Sequence, residues 1–80
     1  MKRKRFTKTE VEALLGKRVR ARVDLGDVLA GTPGQVYDRQ AAGWEEGYYD
    51  VIVRFEPSLT IKPVLKWLSK SDYTYQVEEV

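Results

Sequence analysis

Eighty residues suffice for one domain, and a chain of this size buries only roughly 60% of its unfolded surface, so a thin core is expected. The sequence has neither Cys nor His, which excludes disulfides, the usual zinc ligand sets and Ser–His or Cys–His nucleophile pairs. The net charge of +2 hides a lopsided distribution: residues 1–22 carry nine Lys/Arg against two Glu, net +7, and residues 23–80 carry five against ten Asp/Glu, net −5.

The chain opens on four consecutive basic residues, Lys2, Arg3, Lys4 and Arg5. Mutual repulsion predicts a flexible basic tail over residues 1–6. The same residues are candidates for contacting nucleic acid. A short helix is expected over about 8–15. Thr7 and Glu10 have capping-box spacing, and Val11, Leu14 and Leu15 form one apolar stripe. Gly16 suits the position just past its end. So short a helix is not stable alone, and its stripe is expected to cover the open end of a small barrel.

Residues 17–24, KRVRARVD, alternate. Val19, Ala21 and Val23 are predicted to face inward, with Arg18, Arg20 and Arg22 in a row on the other side. Such a row can track phosphates, or it can be a wet face paired with acids on the neighbouring strand; both readings stay open. Residues 25–31 read as a loop, although Val28 and Leu29 are apolar. They either tuck into the core or rim a binding groove. Thr32-Pro33-Gly34-Gln35 fits a type II turn, with Pro33 setting φ and Gly34 supplying φ > 0. Gly31 is expected to allow close approach of a neighbouring chain. A second strand follows over Gln35–Arg39, with Val36 inward.

Gly43 and Gly47 punctuate a hairpin loop carrying Trp44, read either as a lid on the core or as an exposed platform. The strongest strand signal follows. Tyr49, Val51, Val53 and Phe55 share one face; Tyr48, Asp50, Ile52 and Arg54 share the other. Apolar residues on both faces point to a central strand, ended by Pro57. A fourth strand is expected within Ile61–Leu68. Ser69 and Asp72 have cap spacing and suggest a tight helical turn. Thr74–Glu78 alternates and is read as a fifth strand, with a helix over 71–79 as the rival.

The Gly31–Gly34 pair is a G-x-x-G, but a strand follows it, whereas phosphate-binding or nucleic-acid-clamping loops of that type lead into a helix. Neighbouring acids such as Asp24 with Asp27, or Glu45 with Glu46, are read as solvated loop residues and not as a catalytic pair. No cofactor and no metal are expected. No apolar run approaches the ~20 residues that span a bilayer, and the basic start lacks the apolar core of a secretory signal. A cytoplasmic location without membrane attachment is therefore expected.

Three segments, LGKRVRARV (15–23), VLAGTPGQV (28–36) and GYYDVIVRF (47–55), together resemble the small SH3-like barrels of bacteria, in which a first strand feeds a long irregular loop and a Gly-Thr-x-Gly-x-Val turn opens the second. Similar turns occur in KOW-type barrels, and KPVLKWLSKSDY (62–73) is similar to the closing segment of small bacterial proteins of this sort. The resemblance covers roughly residues 16–77. It implies a mainly β fold, a five-stranded SH3-like barrel over about 17–78 behind the short helix, in a single domain of residues 7–80. It implies no particular activity, because such barrels serve many unrelated tasks, and no functional residue is carried over. The expected function is non-enzymatic binding, as an interaction module or accessory subunit. Candidate protein-binding residues are Val28, Leu29, Trp44, Tyr48, Trp67 and Tyr73, chosen because the aromatics exceed what a thin core hides. The alternative partner is RNA, met by the basic arm and by Arg18, Arg20 and Arg22.

Overall fold

The computed structural model describes residues 5–42, 46–56 and 62–80; Lys2, Arg3, Lys4, Trp44, Pro57 and Ile61 lie outside them. The fold is mainly β: six antiparallel strands form one curled, half-barrel sheet with two short helices. Strand β1 (Phe6–Thr7) leads into α1 (Lys8–Leu14), followed by β2 (Arg18–Ala21), β3 (Pro33–Ala41), β4 (Tyr48–Phe55), β5 (Val64–Leu68), α2 (Lys70–Gln76) and β6 (Val77–Glu79). The sheet order is β1-β4-β3-β2-β6, and β5 pairs with β4 on the same edge as β1. Thus β2 to β5 run as an antiparallel meander, and β6 returns to the far side of β2.

The local signals explain both helices. The Thr7 hydroxyl accepts from the Glu10 amide at 3.3 Å, and the Thr7 amide donates to the Glu10 carboxylate at 3.0 Å, a complete capping box. Val11 is fully buried. The helix closes at Leu14, where the Lys17 amide donates back to the Leu14 carbonyl at 2.9 Å. Leu15 therefore falls past the helix and is exposed, and the expected stripe keeps only Val11 and the half-buried Leu14. At the other end Ser69 caps α2 by accepting from the Asp72 amide at 3.2 Å. The rival helix holds through Gln76, and the strand expected over Thr74–Glu78 forms only from Val77, which pairs with Ala21 at the edge of β2.

Val19, Ala21, Val36, Val51, Val53 and Phe55 form the expected core, joined by Phe6, Val11, Val28, Leu68, Tyr73 and Val77. Val23 does not join them; it is 38% exposed. The strand stops at Ala21, so alternation no longer fixes which way later residues point. The Asp24 carboxylate instead accepts from the Ala30 amide at 2.8 Å and draws the loop closed. Val28 fills the core, held by paired backbone bonds with Leu25 at 2.7 and 3.1 Å.

The turn before β3 is also displaced from the expected one. It spans Leu29–Thr32, closed by the Thr32 amide to the Leu29 carbonyl at 3.1 Å, and Gly31 is the residue with φ near +90°. Pro33 opens the strand instead of sitting in the turn, a position where its missing N–H is tolerated. Gly34 lies in the strand opposite Val19 and Phe55. A Cβ there would come within 2.8 Å of the Phe55 ring, whereas one at Gly31 would meet nothing within 4 Å. The two glycines have exchanged their expected roles.

The N-terminal segment is fastened to α2. Tyr73 meets Phe6 edge-on, with ring centroids 5.7 Å apart, and the Lys70 ammonium lies 5.9 Å from the Phe6 centroid while bonding Glu10 at 2.7 Å. That bond, followed by the Thr7 amide, holds the Glu10 carboxyl below its ordinary value. Burial, with the neighbouring Glu79 charge adding to it, pushes the Tyr73 phenol up to about 12. A raised phenol favours the folded state fully below the unfolded value near 10. The advantage is lost as pH climbs from there through 12. Between pH 9 and 11.5 the wild type is therefore expected to lose more stability than Tyr73→Phe, measured as the fall in urea midpoint. Equal falls for the two proteins would show that Tyr73 does not titrate this way.

Candidate binding surface

The register of the sheet decides which side chains meet. Arg18 pairs with Gln35, Gln35 with Arg54, and Arg54 with Leu65, so these four form one row across β2, β3, β4 and β5. Paired residues share a face. A second row on the same face holds Asp38, Ile52 and Trp67. Between Val36 and Asp38 the register shifts by a bulge, leaving Tyr37 as the extra residue. The face opposite packs the core.

This outer face carries exposed apolar side chains. Trp67 is 55% exposed, Leu65 40% and Tyr37 58%. Trp67 reaches over β4, and its indole N–H donates to the Gln40 side-chain oxygen on β3. Ile52, directly opposite Trp67 and pointing away from the core, is buried. Beside this patch is a cleft of about 340 Å³ lined by Arg18, Pro33, Gly34, Gln35, Arg54 and Glu56. The Gln35 side-chain Nε2 donates to the Gly16 carbonyl at 3.0 Å, which fixes the floor between the two arginines.

The arginine row divides in its surroundings. All three members are exposed. Arg20 bonds Glu78, its cross-strand partner on β6, at 2.6 Å. The Arg22 guanidinium reaches the Thr74 carbonyl at 3.4 Å. Among the described residues, Arg18 and Arg54 have no carboxylate within ion-pair distance.

The other candidates scatter. Val28 and Tyr73 are core residues. Leu29 is exposed in the loop after β2, and Tyr48 is half-buried opposite Thr7. Arg5 is exposed and donates to the Ala42 carbonyl at 3.1 Å. Of the protein-binding candidates among the described residues, only Trp67 belongs to the outer-face patch. Its companions Leu65, Tyr37 and Arg54 carry a signal in the sequence only in part: Leu65 shares Trp67's face by period two, while the bulge and the register do not show.

Among the described residues no group of three or more Asp and Glu is placed to hold a metal ion, and no helix is long and apolar enough to cross a membrane. No protein-family model matches the chain, and no match was found among the curated proteins or the solved structures.

Proposed function

We propose that the chain is a non-enzymatic protein-interaction module of SH3-like architecture, acting in the bacterial cytoplasm as an accessory subunit of a larger assembly. The β2–β5 meander, the long irregular loop after β2 and the return of β6 to β2 support the architecture. The observation that carries the function is the outer-face pair of exposed Leu65 and Trp67, with Ile52 opposite Trp67 and the exposed Tyr37 at the bulge of β3. Aromatic side chains grouped with exposed aliphatic ones are the anchors from which interfaces are built.

The test is a pull-down with the full chain from extracts of its own cells, with and without nuclease. Retained proteins should survive nuclease and be lost with Leu65→Asp, a surface change whose circular dichroism should match wild type. Capture that disappears on nuclease treatment overturns the reading. It would favour RNA as the partner, a second reading supported by the exposure of Arg18, Arg20 and Arg22. Titrating a short RNA at low salt decides that one, since phosphate-driven binding is strongest there.

A further inference from the structure

Resting on the interaction-module reading, we propose that the cleft between Arg18 and Arg54 receives the carboxylate of a Glu or Asp in an extended segment of the partner protein, with an apolar residue two positions along seated on Leu65 and Trp67.

The charge balance selects the ligand. Arg20 is already neutralised by Glu78, while Arg18 and Arg54 face one cleft from either side of Gln35. Their backbones stand two strand spacings apart, about 10 Å, so both long side chains can converge over Gln35. Glu56 lines the same cleft. Two guanidinium groups and one carboxylate leave a single positive charge, which suits a monoanion better than a phosphate dianion. Guanidinium groups recognise carboxylates through paired N–H donors, a geometry that Lys cannot reproduce. The Ile52–Trp67 row lies next to the Arg54–Leu65 row on the same face, about 7 Å along the strand. From a carboxylate held beside Arg54, one strand spacing from Leu65, an alternate residue of an extended peptide about 7 Å on reaches Leu65 and Trp67.

The experiment uses the full chain labelled with ¹⁵N and three probes: the blocked peptide acetyl-Thr-Glu-Thr-Leu-Thr-amide, the same peptide with Gln for Glu, and oligouridylate. The Glu peptide should bind saturably in the millimolar range, shifting the Arg18 and Arg54 Nε–H signals and the Trp67 indole signal. The Gln peptide should bind about tenfold more weakly, the loss expected for one charge-assisted contact. Arg18→Lys and Arg54→Lys should each weaken the Glu peptide, and Arg22→Lys should not. Equal binding of the Glu and Gln peptides, or no saturable binding of either, overturns the carboxylate cleft while the interaction module stands on its own pull-down. Oligouridylate shifting the same arginine signals more tightly than the Glu peptide overturns both.

Discussion

Gly34→Val is expected to leave much of the protein unfolded at room temperature, and Gly34→Ala to lower its stability by about 1–3 kcal/mol. The reason is steric. A Cβ on Gly34 falls 2.8 Å from Cδ1 and 3.1 Å from Cε1 of Phe55, and 3.0 Å from the Arg54 carbonyl oxygen. Phe55 is fully buried in the core, so its ring cannot swing out to solvent without leaving it. Backbone is the other obstacle, and it is shared by β3 and β4. Valine adds two methyl groups to the same collision. A domain of this length has a total stability of only about 4–12 kcal/mol, so the larger side chain consumes a substantial part of it. Urea titration by circular dichroism gives the midpoints. Gly31→Ala is the comparison: there the space is open and only the positive φ opposes a side chain, a cost of about 1–2 kcal/mol. Adding Phe55→Leu to Gly34→Ala should recover part of the loss, because the shorter side chain vacates the contact, so the two effects should not add. Wild-type stability for Gly34→Ala would sink the packing argument.

That pair of glycines also shows where local reading of the chain succeeds and stops. Alternation is a property of a strand by itself, so Val19, Ala21, Val51, Val53 and Phe55 were legible as core before any partner strand was known. Caps are equally local, and Thr7 with Glu10 and Ser69 with Asp72 bond as their spacing predicts. The turn before β3 is not local. Either glycine of GTPG can supply a positive φ; it falls at Gly31, while Gly34 lies in the strand where the Phe55 ring leaves no room for a Cβ. Of the two loop valines, Val28 is buried and Val23 exposed, because the strand ends at Ala21 and alternation no longer sets the direction of Val23. The C-terminal segment suits helix and strand almost equally. It divides at Val77, where the free edge of β2 offers backbone partners that a longer helix would leave unmet.

The candidate surface was less legible for the same reason. Arg18 and Arg54 stand 36 positions apart in the chain and share a cleft only through two registers, Arg18 with Gln35 and Gln35 with Arg54. A slip of one residue in either pairing would turn one guanidinium to the other side of the sheet. The bulge at Tyr37 is what keeps Val36 inward and Asp38 outward along a single strand. The chemistry of that face therefore depends on the sheet holding its register.

Tyr73→Ala should cost about 3–5 kcal/mol, the usual loss for a buried aromatic cut back to Ala, and Tyr73→Phe far less, about 0.5–1.5 kcal/mol for one hydrogen bond. Aromatic surplus had marked Tyr73 as a binding candidate. In the fold it is buried, edge-on to Phe6 and bonded through its hydroxyl to Glu79 at 3.3 Å. One ring thus joins the first strand, the second helix and the last strand. Removing it empties the space between β1 and α2 and loosens β6, whose Glu78 is the partner of Arg20. A destabilised Tyr73→Ala that retains native structure should therefore lose order first in residues 5–7 and 77–79, read by amide hydrogen exchange. As those residues open, Arg20 is released from Glu78 and the charge on the outer face rises. Binding of the Glu peptide would then lose selectivity before it lost strength. The opposite pattern, a Tyr73→Ala protein with wild-type stability and exchange that no longer binds its partner, would return Tyr73 to the interaction surface and remove it from the core.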